Sequence, residues 1–291
     1  MKVKVTVSML VLLLATIFLG FSGIFPKLIV LPADSIILGR SIVAVLLFLP
    51  IILLSKASIR VAGKKNIFLV VVIGLLMAGH WVFFYHSIKL STVAIAVILI
   101  FTYPMMSAII EPLWNKNKIS WMDCYFSALV ILSVVVMSGE QLQGLDIKLG
   151  VVFGLISACC LAVRNVVIKE INNDINAISL MFYQNLITLI VLLPVAAMPL
   201  LQATQLDLLL VITVGLTSSV IGHTLFVKSL EYYSATIVGI VSSFQVVHAS
   251  VVAWLWLSEP LTVRVVIGGG VIIYVVIHQL LQKKRKDTPL L

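Results

Sequence analysis

The sequence predicts an all-α membrane protein: ten transmembrane helices arranged as two inverted five-helix repeats. Three observations lead there. Of the 291 residues, 62% are hydrophobic and 11% charged, too little polar surface to enclose a water-soluble core of this length. Apolar windows of roughly 20 residues, the length one helix needs to cross a hydrocarbon core, recur along the chain. Sliding the sequence by 142 positions lays Lys27 on Lys169, Phe84 on Phe226, Ser87 on Ser229 and the tract 117–121 on 259–263. An odd number of crossings per copy turns the second copy upside down, a plan on which many membrane carriers are built.

The spans predicted from apolar windows are 5–25, 35–55, 66–88, 91–112, 121–139, 147–168, 176–200, 208–229, 234–257 and 262–281. Barrel strands would alternate polar and apolar residues in segments of about ten. The long continuous windows exclude that, and in lipid only helices satisfy their own backbone groups within one segment. Lys2 and Lys4 followed by the apolar run 7–19 mimic a secretory signal peptide, but no A-x-A cleavage site follows. The segment is expected to stay as the first span. The boundary between copies falls in the loop 139–146, marked by Gly139, Glu140, Gly144 and Asp146.

With the N-terminus in the cytoplasm, Lys2, Lys4, Lys56, Arg60, Lys64, Lys65, Lys116, Lys118, Lys169, Lys228, Lys283, Lys284, Arg285 and Lys286 share one side. Lys27, Lys89, Lys148 and Arg264 take the other. The asymmetry follows the positive-inside rule and sets both termini in the cytoplasm. It also accounts for the net charge of +9 through lipid headgroups rather than nucleic acid, which would need a basic soluble face that the chain lacks. Cys124, Cys159 and Cys160 fall inside spans without the spacing of a disulfide framework or metal knot, and are expected to pack in the core. No cofactor and no metal site is expected.

Close helix packing in lipid depends on small residues. Gly150, Gly154, Ala158 and Ala162 form one stripe on the sixth span, joined by Gly215 and Ser219, Gly239 and Ser243, and Gly268 to Gly270 on later spans. Pro104, beside Tyr103 past the middle of the fourth span, is expected to kink that helix next to a cavity. Pro50, Pro194 and Pro199 lie near span ends and are expected to end or bend their helices.

A strongly polar side chain near the bilayer centre costs roughly 2.5–3.5 kcal/mol on insertion scales, so it faces a cavity or a partner. The candidate substrate-binding residues are Arg40, His80, Trp81, Tyr85, Tyr103, Asn165, Gln184, His223, Gln245 and His248. Trp81 and Tyr85 share a helix face, as do Ser219 and His223, and Tyr103 falls on Gln245 under the repeat. The bland reading of His80 and His223 is a hydrogen bond between helices. Arg164, about one turn from the cytoplasmic end, is expected to snorkel to the headgroups, and Arg40 near the outer end is open to the same reading. Trp114, Trp121, Trp254 and Trp256 fit the interfacial aromatic belt. The central set holds arginine and histidine but no carboxylate, which favours a substrate with an anionic or zwitterionic group over a cation.

Several tracts resemble the EamA-type members of the drug/metabolite transporter superfamily. They are 254–262, which reads Trp-Leu-Trp-Leu-Ser-Glu-Pro-Leu-Thr, then Tyr103-Pro104, Ile119-Ser120-Trp121, and 20–27. One departure is the tract 115–118, which stands where the family's first-half glutamate is expected, with Glu111 too early to replace it. The resemblance implies two EamA-like units, 1–142 and 143–291, the second with a basic cytoplasmic tail, in a bacterial cytoplasmic (inner) membrane. It further implies secondary transport by alternating access, often export of amino acids or related small metabolites; an alternative is uptake or exchange of a metabolite such as a nucleotide derivative. Expected partners are a small-molecule substrate and membrane lipids, with a homodimer allowed and no nucleic acid. An intramembrane enzyme is disfavoured, since no span carries H-x-x-x-H, G-x-S-x-G or paired aspartates, and no ATP-binding G-x-x-x-x-G-K loop is present. A scaffold would leave the buried polar groups without a purpose.

Overall fold

The computed structural model describes residues 2–55, 57–91, 93–138, 148–171, 174–247, 251 and 262–286. All regular structure among them is helical. The helices are α1 (Lys2–Gly20), α2 (Phe25–Leu28), α3 (Ala33–Ser55), α4 (Lys64–Leu90), α5 (Val93–Ile100), α6 (Tyr103–Trp114), α7 (Trp121–Ser138) and α8 (Lys148–Ile171). There follow α9 (Ala177–Leu201), α10 (Gln205–Val214), a π-helical stretch (Gly215–Gly222), α11 (His223–Ser229), α12 (Ala235–Ser242) and α13 (Val263–Lys286). Among the described residues, seven apolar segments are long enough to cross a membrane, and 121–136, 235–247 and 263–278 are shorter apolar helices. The outer surface is apolar, with Leu53, Leu54, Val195 and Trp121 more than 70% exposed, as lipid-facing walls require.

Helix starts follow local chemistry. Gly63 takes φ +85°, a left-handed conformation that only glycine adopts without strain, and delivers the chain into α4. Asn176 caps α9 by accepting from Ser179 N at 2.9 Å. Thr204 and Asp207 form a reciprocal capping box on α10, which draws that helix start ahead of the residue 208 expected from hydropathy. Asp207 also accepts from Val30 N at 3.1 Å, tying the first and second halves at that end.

The fourth span runs as one apolar segment, Ile95–Trp114, interrupted by a turn just before Pro104, the kink expected there. Pro104 has no N–H to offer the preceding turn, Thr102 turns its hydroxyl back to Leu99 O at 2.6 Å, and the chain passes from α5 to α6 through Phe101 and Thr102. The break recurs: α12 ends at Ser242 and a turn follows at Ser243, 142 residues after Phe101. The starts of α5 and α7 likewise reappear 142 residues on as the starts of α12 and α13. Of the two outcomes expected of Pro50, Pro194 and Pro199, ending or bending a helix, they do not end theirs: all three lie inside continuous helices, which the bundle tolerates.

The halves meet where α4 packs along α8 and α3 along α9. Ser87 Oγ donates to Gly150 O at 2.8 Å and His80 pairs with Ser157, so α4 and α8 run antiparallel. A Cβ on Gly150 would stand 2.9 Å from Ser91 Cβ, and one on Gly154 2.8 Å from Leu99 Cβ; Ala158 and Ala162 complete the stripe at zero exposure. Gly215 and Gly239 are equally hemmed in, by Val43 and by Tyr103 with Pro104. Gly269 and Gly270 have ordinary room or open space, so packing does not require glycine there. Cys124 is buried as expected, whereas Cys159 is exposed and Cys160 half-buried, so these two do not pack in the core.

Candidate functional site

Arg40 is the first anchor. It stands on α3 with 1% exposure, deep in the bundle and without a route to the headgroups. Its Nε donates to Ser219 Oγ at 2.8 Å, Nη2 to Ser218 Oγ at 3.0 Å and Nη1 to the Tyr85 hydroxyl at 3.3 Å. The guanidinium also lies over the Trp81 ring at 4.6 Å. Ser218 and Ser219 are adjacent in sequence and in a regular helix would point about 100° apart. The π-helical stretch that carries them widens the turn, a local device common at functional sites, and both hydroxyls reach one guanidinium. The paired faces read from the sequence, Trp81 with Tyr85 and Ser219 with His223, meet around this cation.

Beside it, Trp81 Nε1 donates to His223 Nε2 at 3.0 Å. An indole N–H can only donate, so His223 Nε2 is the acceptor and the ring hydrogen lies on Nδ1, a buried atom with no protein partner. His80 Nδ1 lies 2.9 Å from Ser157 Oγ and 3.3 Å from Ser157 O, while Ser157 Oγ donates to His80 O at 2.9 Å. Carbonyls only accept, so His80 carries its hydrogen on Nδ1. This is the helix-to-helix bond of the bland reading, made between α4 and α8, and its partner Ser157 was not singled out in the sequence; a serine one position before the small-residue stripe gives no signal of its own.

Arg164 is the second anchor and corrects an expectation. It does not snorkel: it has zero exposure and turns inward because Gln184 and Asn165 offer it oxygens. Nε and Nη2 both donate to Gln184 Oε1, at 2.9 and 2.7 Å, and Nη1 to Asn165 Oδ1 at 2.9 Å. Nη2 also lies 3.5 Å from Met181 Sδ. Arg40 departs from the snorkelling reading in the same way. Asn165 Nδ2 and Asn185 Oδ1 are buried without a protein partner. His80 and His223 each feel the charge of both guanidiniums.

Among the described residues no carboxylate pairs with either arginine. The hydrogen bonds offset part of the cost of holding the cations in the bundle, but they leave the positive charge uncompensated. The arrangement is a donor-rich, doubly cationic interior suited to holding an anion. Among the described residues the buried carboxylates are committed elsewhere: Glu111 pairs with Lys169 at 3.2 Å and accepts from Ala235 N and Thr236 N at the start of α12, and Asp207 caps α10.

Of the remaining candidates, Tyr103 lies within electrostatic reach of Arg164. The Tyr103 hydroxyl donates to Gly239 O at 3.4 Å, packing with Pro104 against α12. Gln245 is half-buried after the break in its helix. His248, Trp254, Trp256 and the tract 252–261 lie outside the described residues, as does the boundary loop 139–146. Trp114 and Trp121 are exposed, as belt residues would be.

An all-helical, multi-pass membrane protein with polar and cationic groups gathered inside an apolar shell belongs to the class of transmembrane transporters rather than enzymes. The chain belongs to the EamA-like transporter family, whose profile matches residues 6–139 and 148–278, and with it to the drug/metabolite transporter superfamily. Its relatives include the pseudopaline exporter CntI of Pseudomonas aeruginosa, in strain UCBPP-PA14 and in strain PAO1. Each is 25% identical over 256 residues that cover 88% of both chains. A crystal structure of another protein, 12% identical, shares the fold with a TM-score of 0.78 over 98% of this chain and 99% of its own.

Proposed function

We propose that the protein is a secondary carrier that exports a small anionic or zwitterionic metabolite, such as an amino acid, by alternating access. Two units, 1–142 and 143–291, form inverted five-helix repeats with ten crossings in all, in a cytoplasmic membrane with both termini inside. The observation that carries this reading is the pair of buried guanidiniums, Arg40 and Arg164, caged by neutral groups and lacking a carboxylate. Such charges are costly in a purely structural role, and a negatively charged ligand would repay them.

The repeat supplies the moving parts. Trp81 and His223 are 142 residues apart and hydrogen-bonded, and a residue touches its own repeat mate only beside the axis that relates the copies. In this reading the axis runs through the candidate site, between α4 and α11, where rocking of one half against the other would open the cluster to alternate sides. Export is supported by the names of the relatives.

Purified protein in liposomes loaded with an amino-acid and metabolite panel should show counterflow of at least one anionic or zwitterionic compound. No counterflow of any compound across a panel that also includes nucleotides would refute the carrier reading.

A further inference from the structure

Resting on the carrier reading of this same site, we infer that the substrate is a two-headed dianion, a compound with two separate carboxylates, one taken by Arg40 and the other by Arg164. The cations share no hydrogen-bond partner: Arg40 is held by Ser218, Ser219 and Tyr85, and Arg164 by Gln184 and Asn165. They also stand at different depths. The His80–Ser157 bond marks one level on the antiparallel pair α4 and α8. Arg164 lies seven residues past Ser157, ~10 Å along the helix, while Trp81 and Tyr85, which both meet the Arg40 guanidinium, lie one and five residues past His80 in the opposite sense, ~2–7 Å. One anionic group cannot sit on both guanidiniums at once, so a single carboxylate or phosphate would leave one charge unmatched.

Beside each cation stands a buried donor without a protein partner. His223 carries its ring hydrogen on the unpartnered Nδ1, and Asn165, oriented by giving its oxygen to Arg164, is left with an unpartnered amide nitrogen. Both feel or touch the cations, and both suit carboxylate oxygens. Because each arginine comes from a different half, a ligand that bridges them also bridges the two units, so that binding is coupled to their relative position.

The test is equilibrium binding to the full-length protein in nanodiscs, followed by titration calorimetry. The probes are the straight-chain diacids from succinate to suberate, the half-amide of each, and glycerol phosphate as a one-headed dianion. At least one diacid should bind tenfold or more tightly than its half-amide and than glycerol phosphate. Arg40→Gln and Arg164→Gln should each reduce that preference to less than threefold. Equal binding of diacid and half-amide, tighter binding of glycerol phosphate, or no binding of any diacid would overturn the inference, and these wild-type results decide it even where a variant does not fold. Counterflow is scored separately. A diacid preference without transport counts against the carrier reading alone, and transport of zwitterionic metabolites without a diacid preference counts against this inference alone.

Discussion

Replacing Arg40 with methionine separates a functional charge from a structural one. The side chain keeps much of its length and volume but loses the cation. Removing the charge relieves an insertion cost of roughly 2.5–3.5 kcal/mol. Against this stand three hydrogen bonds to Ser218, Ser219 and Tyr85 and a desolvated cation–π contact with Trp81, the latter worth about 2 kcal/mol. The two serine hydroxyls can turn back to carbonyls of their own helix, leaving the Tyr85 hydroxyl as the one stranded group, at about 1–3 kcal/mol. The opposing contributions nearly cancel, as they do when buried ionic groups elsewhere are replaced by apolar ones. Thermal unfolding in detergent should therefore shift by no more than ~2 kcal/mol, about 4–8 °C for a chain of this size, while counterflow in liposomes falls at least a hundredfold. Retained transport, or unfolding at physiological temperature, would refute the reasoning and make Arg40 a structural residue.

Three further outcomes follow from the same geometry. Gly154→Leu drives a side chain into Leu99 and Ser87; overpacking at that seam should cost about 1–3 kcal/mol and lower the unfolding temperature in detergent, whereas Gly270→Leu, which meets open space, should leave it within experimental error. Glu111→Gln and Lys169→Met break a mostly buried ion pair; each alone should destabilise by up to about 3–5 kcal/mol, and a double-mutant cycle read by thermal unfolding should give a coupling above about 1 kcal/mol. Independent effects of the two would show that the pair does not act as a unit. Reporter fusions at residues 1 and 291 should both be active only in the cytoplasm, and an external signal from either would contradict the proposed topology.

The helical class and the packing stripe were legible because they rest on composition and period. Apolar windows announce spans, and Gly150, Gly154, Ala158 and Ala162 recur every fourth residue, a pattern that helix geometry turns directly into a contact face. The 142-residue offset was legible too, and it reappears in the paired helix starts and in the breaks at Phe101 and Ser243.

What the sequence hid was direction. Arg164 looked free to reach the headgroups from its position along α8; whether it turns outward or inward depends on Gln184, twenty residues away on another helix. Ser218 and Ser219 were visible as polar residues, but their convergence on one guanidinium depends on a π-helical stretch that no residue pattern in 215–222 announces. Ser157 was invisible because serine in a membrane helix is common and its role comes from His80 across the interface. Polar identity is local, whereas partnership is tertiary.

The most direct test compares paired intracellular and extracellular metabolite profiles of cells making the wild-type chain, the Arg40→Met variant or neither. The account predicts that one or more anionic metabolites leave the cells and accumulate in the medium only with the wild-type chain. Indistinguishable profiles in all three, or equal accumulation with Arg40→Met, would contradict it.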